Sequence, residues 1–475
     1  MESRTIRYGV TAVTAVLLAL SVGACSKEPE APAHDPGVRG GAAGAGNSYP
    51  GLPDPFQKLF DAGLAEFVKP DKVEDGLGPR MNLDSCLGCH ANPAPGGSSQ
   101  ESNPQFSFWK DSLDPKTNTL PSFIAEKGPT REARFKLFGY PEGLTYTSPD
   151  GGVHDLFTIA GMKGAENCKI KQPEFEEQLR RNNVIFRIPT PVFGAGLIEQ
   201  IPDTAIMANI NRERDQKQAY GIRSKLNIVM SGNTITGLPN KNGNDGTIAR
   251  FGWKAQNKSL LIFSGEAYNV EIGISNELFQ TEREEDPNCQ FKATPNDTTD
   301  PSHITETDQA KKLDILSDIE KFASFMRLLA PPEPSSTAPG GSESIAKGKT
   351  LFSQVGCALC HAPMLKTGNS TIPQLSEKEA HLYSDLAVHQ MGPNLDDGVS
   401  QGQAKGNEFR TAPLWGLGKR IFFLHDGRTS DLVKAIEEHR GGYDANASEA
   451  NAVVNQYNKL PEKEKQDLLN FLRSL

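Results

Sequence analysis

The sequence predicts a mainly α-helical chain of two domains with long ordered loops and a small β-hairpin insertion. Three observations carry that expectation. Helical apolar spacing recurs in the later segments, the pentapeptides CLGCH (86–90) and CALCH (357–361) head two separate stretches, and the run PPEPSSTAPGGSES (331–344) breaks the chain between them.

The first 25 residues place Arg4 and Arg7 before an apolar run that ends in Val22, Gly23, Ala24 and Cys25. Small residues leading into a cysteine read as a lipoprotein-type signal, so residues 1–24 are expected to be removed and Cys25 to carry lipid. The apolar run is shorter than the ~20 residues a membrane span needs. Ser26 stands where an aspartate would signal inner-membrane retention, which favours an outer-membrane lipoprotein facing the periplasm. Residues 25–50 are rich in Pro, Gly and Ala without apolar period and are expected to form a flexible tether.

Two domains are then expected, 51–334 and 344–475, with the boundary near 335–343. The formal charge is −9, and Glu2, Arg4 and Arg7 of the leader sum to +1, leaving −10 after cleavage. So acidic a surface argues against nucleic acid and suits a basic soluble partner.

Within the first domain, residues 91–135 read as ordered loop. Residues 221–253 alternate short β-branched runs with Gly and Asn turns, the pattern of a small hairpin. Residues 307–330 read as a helix stopped by the prolines at 331 and 332. At the C-terminus Pro461 suits a first helical turn, with Leu468, Phe471, Leu472 and Leu475 on one face.

Seven cysteines divide cleanly: Cys25 for lipid, two pairs in the pentapeptides, and Cys168 with Cys289 left over. In an oxidising compartment the last two are expected to pair, the alternative being two buried thiols. In CxxCH, two thiols can add to the haem vinyl groups while the adjoining histidine sits beneath the iron. A zinc half-site would need two further Cys or His nearby, and a redox dithiol has no use for the histidine. Two covalent haem c groups are therefore expected, on Cys86, Cys89 and His90 and on Cys357, Cys360 and His361, which makes both domains cytochrome c-like.

What fills the other face of each iron separates electron transfer from catalysis. The stretch HDGRTSDLVKAIEEH begins at His425 and ends at His439. Thr429 or Ser430 suits an N-cap, and Leu432, Ala435, Ile436 and His439 recur at helical steps, so His439 lies on the core-facing side. A histidine there is more often a satisfied core residue, and His425 could equally pair with a haem propionate; spacing alone leaves both open.

The segment RTAPLWGLGKRIFFLHDGRTSDLVKAIEEH resembles the closing part of the bacterial di-haem cytochrome c peroxidase superfamily. Together with IPTPVFGAGLIEQIPD, RFGWKA and YSDLAVHQMGPNL, it is similar to the branch of di-haem oxidoreductases also called thiol oxidoreductases, over about residues 80–475. The resemblance implies His439 as distal ligand of the C-terminal haem, where the peroxidases have methionine and the methylamine dehydrogenase maturation enzyme has tyrosine. It demotes His425 to a structural or propionate role. By the same resemblance Trp253 is an aromatic relay between haems and Glu271 the acid/base over the N-terminal haem, with Glu199 a second carboxylate of interest. It further implies an electron donor that is a small redox protein or an oxidisable substrate, peroxide as oxidant, and an interdomain calcium ion in some relatives. The chain departs from simple peroxidases in a long insertion between His90 and Trp253; His154, the one histidine in it, reads as core or surface. Peroxidase-type oxidoreduction follows as the expected function. A plain electron-transfer cytochrome and an enzyme oxidising a partner protein or thiol by long-range hole transfer are the other readings.

Overall fold

In this computed structural model the described residues are 31–137, 153–228, 230, 231, 234, 235, 248–282, 286–308 and 311–475, with Met1, Thr5 and Gly9. The leader, apart from those three positions, and Cys25 lie outside them. No helix among the described residues is long and apolar enough to cross a membrane.

The expected helical character holds, with strands confined to short pairs and one three-stranded sheet. Two helix pairs organise the two ends of the chain by the same physical means. Helix Asp54–Val68 lies on helix Asp318–Leu328, and helix Gly341–Gln354 lies on helix Glu462–Ser474. Each first helix carries a glycine at the crossing. A Cβ at Gly63 would come within 2.3 Å of the Lys321 carbonyl, and one at Gly348 within 2.0 Å of the Asp467 carbonyl. Bare Cα atoms thus let backbones meet where any side chain would force them apart. Aromatic rings fill the space beside each crossing. Phe67 and Phe325 stand 4.7 Å apart in one core, Phe352 and Phe471 5.5 Å apart in the other.

Several expectations are corrected. The helix foreseen over 307–330 is shorter, Asp318–Leu328, because Ser317 and Glu320 close a capping box at its start; a 3-10 turn, Lys311–Ile315, precedes it. The hairpin foreseen over 221–253 is present as Met230–Ser231 paired with Thr234–Ile235, and residues 236–247 lie outside the described part. The helix before His439 is capped by Asp431 rather than Thr429 or Ser430, its side chain accepting from the Val433 and Lys434 amides. The C-terminal helix follows the expected face, Leu468, Phe471, Leu472 and Leu475 all being buried.

The flexible tether is also corrected. From Ala33 onward this segment is strapped to the rest of the chain. Asp35 accepts from Arg473 Nε at 2.7 Å and from the Leu432 amide at 2.8 Å, the Arg39 amide donates to Gly418, and the Tyr49 amide donates to Leu328. Low apolar content did not prevent ordering, because backbone amides and the Asp35–Arg473 ion pair supply the anchoring.

Nor does the break at 335–343 separate two bodies: Ala33–Leu475 is a single compact unit with two large hydrophobic cores and a small third cluster of Ala255, Val388 and Ala404. Arg187, Lys225, Trp253 and Lys254 reach across to the second half of the chain. Lys225 and Val388 exchange backbone hydrogen bonds, the Arg410 amide donates to Trp253, and Arg187 meets Asp397 at 2.7 Å. Lys254, fully buried, adds a second cation 3.1 Å from Asp397 and donates to the carbonyls of Lys405, Gly406 and Glu408.

Candidate functional site: two cavities sharing a tryptophan

Each helix pair stands beside a cavity headed by one CxxCH motif. In the first, the one-turn helix Cys86–Cys89 brings His90 back so that its amide donates to Cys86. In the second, a 3-10 turn does the same for Cys357 and His361. Both cysteines and the histidine of each motif line an open space, about 1220 Å³ for the first and about 1380 Å³ for the second. Each histidine ring meets a phenylalanine of the preceding helix, Phe67 at 6.1 Å from His90 and Phe352 at 6.4 Å from His361.

The imidazoles are oriented for ligation. His90 Nδ1 lies 2.9 Å from the Gly97 carbonyl and His361 Nδ1 3.0 Å from the Tyr383 carbonyl. A proton held on Nδ1 leaves Nε2 with its lone pair free for a metal. Burial, together with the nearby His439, holds the His361 pKa down at about 4, so the ring is neutral as a ligand must be. His439 is in the wall of the same cavity, its Nδ1 2.7 Å from the Ala435 carbonyl, so it too can present Nε2.

The donor set bears on which group these cavities could hold. Burial pushes the Cys357 thiol up to about 12 and raises those of Cys86 and Cys89, which disfavours a thiolate metal site. Among the described residues no group of three or more His, Cys, Asp or Glu side chains could hold a metal ion. Arginines instead line both cavities, Arg187 among them already paired with Asp397. The Nε atoms of Arg131 and Arg187, both in the wall of the first cavity, are buried without a hydrogen-bond partner. In the second cavity Arg410 and Arg420 are driven down to about 10, Arg410 by burial and by Arg420, Arg420 by burial and by Arg473. A planar apolar group bearing carboxylates, as haem does, would fill the walls and neutralise these cations.

The two cavities differ in their polar walls. The first carries Glu271 and Glu266, supplied where helix Leu260–Ala267 relaxes into the π turn Tyr268–Ile272, a distortion that often marks functional positions. Glu271 accepts from Asn82 Nδ2 at 2.8 Å. Glu132 and Arg134 come from strand Glu132–Phe135, and Arg187 stands opposite Glu132 on strand Val184–Arg187. The second cavity is walled by His439, His389 and His425. Trp253 lines both. Its indole N–H donates to the Ile188 carbonyl at 2.9 Å.

Of the residues singled out from the sequence, His90, His361, His439, Trp253 and Glu271 line the cavity walls. His425 is packed rather than poised as a ligand: its ring stacks on Phe409 at 4.3 Å, and burial keeps its pKa at about 4. Glu199 is corrected. It is fully buried and spent on structure, accepting from the Leu260 amide and from Arg327 Nε, each at 2.8 Å, and it lines neither cavity. His154 sits on strand Val153–His154, and its side chain lies outside the described residues. The Sγ atoms of Cys168 and Cys289 are 2.17 Å apart, at disulfide distance.

Missed by sequence reasoning were Glu132, Arg134, Arg187, Glu266, Arg410 and Arg420. So was His389, a buried imidazole gripped by Asp385 at 3.0 Å and Glu449 at 2.8 Å beside the Cys360 sulfur. Burial opposes its charge, but Cys360 and Asp385 hold its pKa well above the usual histidine range. The one legible signal was Asp385 four residues ahead of it within YSDLAVHQMGPNL.

Two cavities, each with a CxxCH motif in its wall, thus share one indole. Residues 136–475 match the family described as "Di-haem oxidoreductase, putative peroxidase", and the chain belongs to that family. The match begins after the first CxxCH motif and after Glu132 and Arg134. No curated protein matches the chain. Among solved structures it is similar to Kuenenia stuttgartiensis hydrazine synthase pressurised with 20 bar xenon, at 13% identity and a TM-score of 0.34 over 98% of this chain and 100% of that one. A likeness that weak carries nothing across to this chain.

Proposed function

We propose that the chain is a periplasm-facing di-haem c oxidoreductase of peroxidase type. Peroxide is reduced in the N-terminal cavity with electrons passed from the C-terminal one, and Cys25 anchors the protein by lipid to the outer membrane. Cys86 and Cys89, and Cys357 and Cys360, are the thioether-forming pairs, and both domains are cytochrome c-like around them. His90 and His361 are the proximal ligands. The supporting observation is the inequality of the cavities: His439 stands in one wall with His361, whereas His90 is the only histidine among the described lining residues of the other, which Glu271 shares.

Bound haem would supply the redox iron that exchanges electrons with peroxide. The chain's residues handle protons and position. Hydrogen peroxide takes up two electrons and two protons to give two waters, and the O–O bond breaks readily only if one oxygen departs as water. Glu271 accepts the proton of one peroxide oxygen at Oε and returns it to the other. The largely apolar wall keeps bulk water from competing. Trp253, common to both walls, carries the electron between them, and the donor is a small redox protein or an oxidisable substrate.

Electron paramagnetic resonance of the ferric holoprotein, joined to peroxide-driven turnover, tests this. One high-spin or labile centre, one low-spin bis-histidine centre and steady peroxide consumption are expected. Two low-spin centres without turnover would make the protein an electron-transfer cytochrome instead.

A further inference from the structure

We infer that Asp385, His389 and Glu449 form a closed, singly negative triad beside the Cys360 sulfur, and that this fixed charge holds down the midpoint potential of the haem carried there. The inference rests on the di-haem c reading and not on peroxide as the oxidant.

The triad is built on the second motif itself. The Asp385 amide donates to the Cys360 carbonyl, and strand Val388–Gln390 follows, bringing His389 Nδ1 to 3.8 Å from Cys360 Sγ. That nitrogen lies 2.8 Å from Glu449 Oε2, and His389 Nε2 lies 3.0 Å from Asp385 Oδ2. All three residues are buried.

Counting hydrogens fixes the charge. Contacts of this length between nitrogen and oxygen are hydrogen bonds, and each needs a hydrogen of its own. A neutral imidazole has one N–H and an ionised carboxylate has none, so the three groups together hold two. Two hydrogens shared by one imidazole and two carboxyls leave one net negative charge, wherever the second hydrogen resides. Glu449 Oε2 already meets three donors, His389 Nδ1 and the amides of Arg223 at 3.0 Å and Ser224 at 3.3 Å. With no room for a hydrogen on that oxygen, one sits on Nδ1.

The charges around the triad do not cancel it. Arg223 approaches the other Glu449 oxygen at 3.5 Å, but its side chain is largely exposed and water screens it. On the neighbouring strand Glu408 is taken by Lys225 at 2.7 Å, and Arg410 lines the cavity that the haem carboxylates would share. His361 is neutral, and a thioether sulfur at Cys360 has neither proton nor charge. An oxidised iron centre carries one more positive charge than a reduced one, so a buried negative charge nearby favours oxidation. The second centre thereby becomes the better electron donor.

The test is potentiometry of the holoprotein carrying Glu449→Gln, with covalent haem on both motifs confirmed beforehand by mass. At about pH 6 the imidazole, left with Asp385 alone, keeps its second hydrogen and the site becomes neutral. The second centre should then favour reduction about tenfold more, a midpoint about 59 mV higher, with the first midpoint and both ligation spectra unmoved. The increment should close by about pH 9, as the imidazole gives up that hydrogen, a signature that lost packing does not produce. Asp385→Asn should act with the same sign, and decides if Glu449→Gln does not fold. A midpoint equal to wild type at the lower pH, or raised equally at both, overturns the fixed charge. A mass without haem on Cys357 and Cys360 would instead refute the di-haem c reading on which the inference stands.

Discussion

Trp253 meets His425 edge to face, with ring centroids 6.5 Å apart, and His425 in turn stacks on Phe409 at 4.3 Å. The three rings run from the wall shared by both cavities into the wall of the second. They are held from below by the Lys254–Asp397–Arg187 ion cluster, whose Lys254 ammonium lies 3.8 Å over Phe409.

Trp253→Phe keeps an aromatic ring but loses the N–H bond to Ile188, a stability cost of about 1 kcal/mol. Haem loading should survive. Peroxide turnover fed by an external donor should fall about tenfold or more if the indole is the electron route. Rapid-mixing measurement of electron transfer between the two centres checks this, and a wild-type rate would remove Trp253 from the route.

Glu271→Gln preserves shape and the contact with Asn82, and should keep both haems. General acid–base groups typically contribute 10²–10⁴-fold. A loss of at least about tenfold in peroxide turnover is therefore expected, and unchanged turnover would exclude the carboxyl from catalysis.

His439→Met exchanges an imidazole for a thioether at the wall of the second cavity. Methionine ligation raises haem potentials, so the midpoint of one centre should rise while the other stays put. Potentiometric titration of the two centres decides it. An unmoved pair of midpoints means that His439 is not a ligand.

Half-buried Asp35 pairs with buried Arg473 and ties the N-terminal strap to the C-terminal helix. Asp35→Ala leaves the Arg473 cation buried and uncompensated, at a cost of about 3 kcal/mol. Burial alone would raise the Asp35 carboxyl, but Arg473 and the Gly37 and Leu432 amides hold it below the ordinary range. Its stabilisation is thus complete above the unfolded value of about 3.9 and is lost as pH falls through the lower folded value. Acid titration of unfolding should show a later onset in wild type than in the variant.

Asp71 gives the opposite slope. Burial raises its pKa from 3.8 to about 7, with Lys69 opposing, and the Tyr268 hydroxyl donates to it at 3.2 Å. The folded chain then binds more protons than the unfolded one between about 4 and 7, so stability declines as pH rises through that window and levels off above it. Asp71→Asn should reduce this slope and stabilise the protein at pH above about 7. Denaturant unfolding at both ends of the window measures it; an unaltered slope would place the titration elsewhere, for example on Asp297 or Glu282, which burial also raises.

The parts legible in the sequence are those whose chemistry is local. CxxCH puts two thiols and a ligand within five positions, so each pentapeptide could be read without knowing what surrounds it. The core-facing position of His439 was reachable because a short helix fixes which of its residues share a face, whereas the choice of His439 over His425 came from the family resemblance. Glu199 failed for the converse reason: a carboxylate beside family-like motifs says nothing of its partner, and Arg327 neutralises it from another helix.

By itself, then, the sequence determined the two CxxCH motifs, the helix bearing His439 and the closing helix with its apolar face, because each depends on neighbours along the chain. Tertiary structure alone decided that Trp253 belongs to both cavities and that Glu132, Arg134 and Arg187 share a cavity with Glu271. It also turned the expected tether, from Ala33 onward, into a strap. Those outcomes depend on strand register and on pairings between distant segments, and chain composition does not encode where a side chain's charge will be met.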